Sequence, residues 1–236
     1  MIDLGSTDFY FRVPSMPRNE FEAYSSRLFD IWDEHVGREL SLQDYALSLE
    51  VEEGSVKGKG KILATLAALY FGIGHYGAFI DGIETIRGQV VSAGDYLVKK
   101  AHSSLGSNQP DPAVKNRSGA LGQLQRLFVK VQHNEITVEE AMEQAAVIVG
   151  NDAAMAPEFL AQLNNALRNA PRCPEQIILP LEGFDEDSNP QEKDNDQAPR
   201  LPKTKPEALP PPATQLRIEI WRESKRGRKR LRVVEI

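Results

Sequence analysis

At 236 residues, 41% hydrophobic and 26% charged, the chain has the composition of a globular protein able to bury a core, with length for one sizeable domain or two small ones. Its formal net charge of −6 speaks against a protein that is basic throughout, and its one cysteine, Cys173, excludes an intrachain disulfide scaffold and suits a reducing compartment. The opening residues, Met1-Ile2-Asp3-Leu4-Gly5, lack the basic and apolar regions of a secretory signal, so the expected location is the cytoplasm.

Phe9 to Val13 is a short aromatic and β-branched run ended by Pro14, which predicts a strand. A helix is expected from Pro17 to Gly37, with Phe21, Tyr24, Leu28, Ile31, Trp32 and Val36 as its apolar stripe. Its other face carries Glu22, Arg27, Asp30, Asp33 and Glu34 and is expected to meet water. Tyr45, Leu47, Leu49 and Val51 alternate with polar or small residues, the period of a half-buried strand. After a turn at Glu53-Gly54-Ser55, Val56 to Ile62 should return antiparallel, with Lys57, Lys59 and Lys61 on one face. Gly58 and Gly60 weaken such a strand and predict an edge or a bulge.

Leu63 to Phe71 is rich in Ala and Leu and favours helix. A second helix fits Tyr76, Phe79, Ile80, Ile83, Ile86, Val90 and Leu97, running to about Lys100, and Ser103 to Gly119 reads as an exposed loop. Three shorter helices follow. The first carries Leu121, Leu124, Phe128 and Val131, the second opens on the capping box Thr137-Val138-Glu139-Glu140, and the last begins at Pro157 with Phe159, Leu160, Leu163 and Leu167. The expected fold class is α+β, a small antiparallel sheet packed on a mostly helical body that spans residues 1–172.

Beyond the body, charge separates by sign. Residues 173–213 hold nine acids against four bases and many prolines, the composition of an acidic linker, although Ile177-Ile178-Leu179 forms an apolar island able to dock. Residues 214–236 hold eight bases against three acids, and the strand-like runs Leu216 to Trp221 and Leu231 to Ile236 flank a basic turn, predicting a β-hairpin tail. An isolated hairpin is marginal in water, so it should be mobile or joined to a sheet edge.

Motifs for chemistry are sparse. Gly72-Ile73-Gly74-His75-Tyr76-Gly77 has the spacing of a dinucleotide-binding turn but lacks the preceding buried strand of a repeating βαβ unit, and a glycine hinge is the better reading. Residues 62–80 form an uncharged run about long enough to cross a bilayer, interrupted by glycines and His75; a buried core helix is the preferred reading, and a membrane-inserting effector the alternative. His35, His75, His102 and His133 are scattered, no metal site or cofactor is expected, and Cys173 has no visible catalytic partner. A hydrolase or nuclease with an unrecognised site is a further alternative, with Glu223-Ser224-Lys225 taken as a chance resemblance to nuclease spacing.

The tail is the strongest functional lead. Arg217, Arg222, Lys225, Arg226, Arg228, Lys229, Arg230 and Arg232 form a cationic surface able to displace counterions from a phosphate backbone, and Trp221 offers a stacking face. The expectation is a non-enzymatic interaction or regulatory component of a multi-protein bacterial system, with a protein partner, nucleic acid contacted through the tail, and small residues that also suit a homo-oligomer. Removal of the tail is expected to leave the body folded.

Overall fold

Alternation of apolar and polar residues along the strands decides how the chain is layered. The computed structural model describes residues 1–11, 16–53, 56–69, 76–105, 111–173 and 215–236. Strands β1 (Ile2–Tyr10), β2 (Ala46–Glu52), β3 (Lys57–Ala64), β4 (Ala113–Arg117), β5 (Leu216–Arg222) and β6 (Arg230–Glu235) form one sheet in the order β4-β1-β3-β2-β5-β6. Every neighbouring pair is antiparallel, and the fold is α+β. The Gly-Xaa-Gly-Xaa-Xaa-Gly run lies, except for Tyr76 and Gly77, outside the described residues, as does the linker from residue 174 to 214.

The described residues form the helices α1 (Arg18–Glu39), α2 (Tyr76–Ser104), α3 (Gly119–Gln132), α4 (Val138–Val149) and α5 (Pro157–Arg168); α1, α2 and α3 pack on the sheet, and α4 and α5 pack on α3 and α2. From α1, Phe21, Leu28, Phe29, Trp32 and Val36 are buried, and from α2, Phe79, Ile83, Val90, Ala93, Leu97 and Ala101. The Trp32 indole N–H donates to the Ala93 carbonyl at 3.0 Å, so the largest side chain between these helices leaves no unsatisfied donor. Thr137 opens α4 as expected: its hydroxyl accepts from the Glu140 N–H, and the Glu140 carboxylate accepts from the Thr137 N–H. Donation to the Glu140 carboxylate from the Thr137 N–H and from the Thr137 hydroxyl holds it below the usual range.

The strand of lysines and glycines is a correction. β3 lies in the middle of the sheet, between β1 and β2, not at an edge, and the irregularity falls on β1, where Leu4 is the extra residue between the pairs Asp3 to Leu63 and Gly5 to Ile62. Glycine is required here for closeness. A Cβ at Gly58 would strike the Phe9 ring, and one at Gly60 would strike Leu97 of α2 and stand 3.2 Å from Trp32. The two glycines form a trough in which Phe9 and the helices rest directly on the backbone.

Three further segments differ from expectation. The first strand begins at Ile2, well before Phe9, and residues 12–15 are outside the described set. Leu63 and Ala64 continue β3 because Asp3 and Ile2 of β1 pair with them, leaving a single 3-10 turn at Leu66–Ala68 where a helix was expected; long-range pairing overrides local helix propensity. Within the expected loop, Ala113–Arg117 adds to β1 as an edge strand.

Candidate interaction surface

The hairpin is not a separate tail but the outer pair of the same sheet. β5 pairs with β2 from Leu47 opposite Arg222 to Glu52 opposite Arg217, and Ile218 and Ile220 are fully buried against the body. Because opposed residues share a face, Ile218, Ile220 and Arg222 point to the helical layer, whereas Arg217, Glu219 and Trp221 point to solvent. β6 adds Val234, Arg232 and Arg230 to that outer face, opposite Arg217, Glu219 and Trp221.

Arg222 is the deepest of the candidate residues, with a side chain 12% exposed. Its guanidinium grips Asp33 of α1 through two contacts, Nη1 to Oδ2 at 2.6 Å and Nη2 to Oδ1 at 2.5 Å, and lies 5.5 Å from the centre of the Tyr45 ring. Burial pushes the Asp33 carboxyl above its ordinary value, and the pull of Arg222 in the other direction only partly offsets that. Burial likewise raises Tyr45.

Other bases continue this seam. The Lys225 N–H donates to Asp44 Oδ1 at 2.7 Å, and its ammonium sits 5.5 Å from the Tyr45 ring. Lys229 Nζ donates to both Asp30 oxygens at 2.6 and 2.8 Å and to Ser26 Oγ at 2.8 Å. Two of the five α1 residues expected to meet water, Asp30 and Asp33, therefore lie where the hairpin docks. On the outer face, Arg217 donates to Glu52 at 2.9 and 2.5 Å, and that bond holds its guanidinium above its usual pKa; Arg230 pairs with Glu223 at 2.9 Å.

Five of the eight candidate bases thus have partners within the protein. Arg226 and Arg228 at the turn and Arg232 on β6 are exposed, and their side chains make no hydrogen bond or ion pair among the described residues. Trp221 is half-buried on the outer face between Ser48 and Arg230. The structure brings all nine candidate residues together on one hairpin and divides them by role. Reading the tail alone missed Asp30, Asp33, Asp44 and Tyr45; an acidic helix face beside an excess of tail cations was the available signal.

The rest of the outer face is striped by strand. The lysines Lys57, Lys59 and Lys61 of β3 run between Asp3 and Asp8 of β1 and Glu50 and Glu52 of β2, with Lys61 3.3 Å from Asp3 and Lys57 3.8 Å from Glu52. Above it lies a hollow of about 450 Å³ bordered by Asp8, Tyr10, Glu50, Lys59 and Lys115. Cations and anions alternate across it, so this face balances its own charge.

Among the described residues no helix is long and apolar enough to cross a membrane, and Ile62 to Ala64, the start of the uncharged run, are strand. Nor do the described residues contain a group of three or more His, Cys, Asp or Glu able to hold a metal ion. His35 stacks on Tyr96 at 3.7 Å, and His102 stacks on Phe11 at 5.6 Å. The chain matches no protein-family model, no curated protein and no solved structure, so its own surface carries the functional argument.

Proposed function

We propose that this protein is a non-enzymatic interaction module of a multi-protein bacterial system, acting in the cytoplasm, whose C-terminal hairpin presents a cationic tip to a polyanionic partner. Nucleic acid is the favoured partner, and an acidic protein surface the second. The observation that carries the reading is the division of labour among the bases: Arg222 and Lys229 fasten the hairpin to α1, which leaves Arg226 and Arg228 projecting from a fixed support without an ion pair among the described residues, with Arg232 on β6 opposite Glu219. Trp221 tilts the balance to nucleic acid, because an aromatic ring flanked by Arg230 and Arg232 gives a base a surface to stack on.

The test is titration of labelled single-stranded and duplex oligonucleotides, with polyglutamate as the acidic polypeptide, read by fluorescence anisotropy. Combined replacement R226A, R228A and R232A should weaken binding at least about tenfold and flatten its salt dependence, each lost phosphate contact removing roughly 0.7 to 0.9 from the slope. The melting temperature should not move. Binding that ignores both these substitutions and added salt would refute the proposal. Deletion of the tail is not a suitable control, because it would also strip Ile218 and Ile220 from the core.

A further inference from the structure

The sheet ends at β4 on the side away from the hairpin. Antiparallel pairing uses the hydrogen-bonding groups of β4 on its β1 side alone, so alternate residues from Ala113 to Arg117 aim N–H and C=O outward. Helix α2 runs beside this edge and makes a groove with it. Asn116 ties the two together, donating to Asp95 of α2 at 3.3 Å and accepting from the Thr7 hydroxyl at 2.8 Å.

Two hollows lie along the groove. One of about 410 Å³ is walled by Val98 and Lys99 of α2 and by Pro112 and Val114; the other, of about 130 Å³, is walled by Arg87, Val90 and Val91 of α2 and by Arg117. Val91 and Val114, each 42% exposed, are among the large apolar side chains that the fold leaves facing water. The ionic lining is mostly basic: Asp95, the one carboxylate among the described residues of these two hollows, accepts from Asn116, while Arg87 donates to Gln125 and Arg117 pairs with Asp8 at 3.0 Å.

We propose that this groove is a second docking site, which takes an extended segment of a partner protein by strand addition to β4, the segment alternating apolar with acidic residues. The outward backbone groups of β4 supply the ladder, the two hollows accept alternate apolar side chains on the α2 side, and on the opposite face Lys115, with Arg117 shared with Asp8, favours the carboxylates between them. This site is separate from the hairpin tip and does not depend on what the tip binds.

A fluorescein-labelled peptide of repeated Glu-Val units tests it by anisotropy, with a Lys-Val peptide and an N-methylated Glu-Val peptide as controls. The Glu-Val peptide should bind saturably and slow hydrogen exchange at residues 113–117. Blocking its alternate amides by methylation, or introducing V114E or, on α2, V91E, should weaken it about tenfold or more. Both sites are exposed, so circular dichroism should match the parent protein. No binding, equal binding of the methylated or Lys-Val peptide, or exchange protection elsewhere than β4 would overturn the proposal. Loss of binding in R226E with R228E, but not in V114E, would also overturn it while supporting the reading of the hairpin tip.

Discussion

At Gly58 and Gly60 the absence of a side chain does structural work, because each occupies space that a methyl group would take from Phe9 or Leu97. G60A should cost about 3 kcal/mol in urea unfolding, the upper range for an overpacked core. Gly88 in α2 is the internal control. Nothing lies within 4 Å of a Cβ there, so G88A should stabilise by about 0.5 to 1 kcal/mol through helix propensity alone. Asp33 is a different case, a partly buried carboxylate whose loss strands a nearly buried guanidinium. D33N should lower stability by about 2 to 3 kcal/mol, somewhat less than a fully buried pair because the carboxylate is 22% exposed. A loss near zero would mean that the hairpin is held without a contribution from this pair.

Elements were legible in the sequence to the extent that burial imprinted a period on them. β2 buries Leu47, Leu49 and Val51 on alternate positions, and α2 buries Phe79, Ile83, Ile86 and Val90 at helical spacing, so both stand out. The capping box at Thr137 is equally plain because its chemistry is local. Its pH signature follows from the depressed Glu140 carboxyl: a folded value below the unfolded one contributes stability above the unfolded pKa and loses it as pH falls through the folded one. E140Q should therefore destabilise at neutral pH, with the difference from the parent protein fading in acid below the ordinary carboxylate range. β4 was hidden for the opposite reason. All five of its residues are exposed, so its pairing with β1 left no hydrophobic trace. The hairpin was legible as a hairpin, but its docking was not, since Arg222 and Asp33 lie 189 positions apart.

On the scale of the whole described body, unpaired cations gather at the turn of the hairpin. Anions on α1 and on the outer sheet face are matched locally, by Lys229 and Arg222 in one case and by the β3 lysines in the other, whereas the Arg226 and Arg228 side chains have no such match among the described residues. A chain lacking residues 215–236 should not survive as a folded body. It would expose the β2 edge together with Leu47, Leu49 and Val51, and the expected outcome is aggregation or a strongly lowered melting temperature with increased dye binding to apolar surface. A soluble, cooperatively melting fragment would show that the hairpin is dispensable.

The pairing of β2 with β5 also sets an order of events at birth. Glu52 meets Arg217 across 165 positions, so during translation the strand around Leu49 emerges from the ribosome long before its neighbour exists. Throughout that interval β2 can pair with β3 but not with β5, and closing so long a loop belongs to the slow class of folding steps. The interval between the synthesis of these two strands is when the β2 edge that β5 later covers stands open to mispairing.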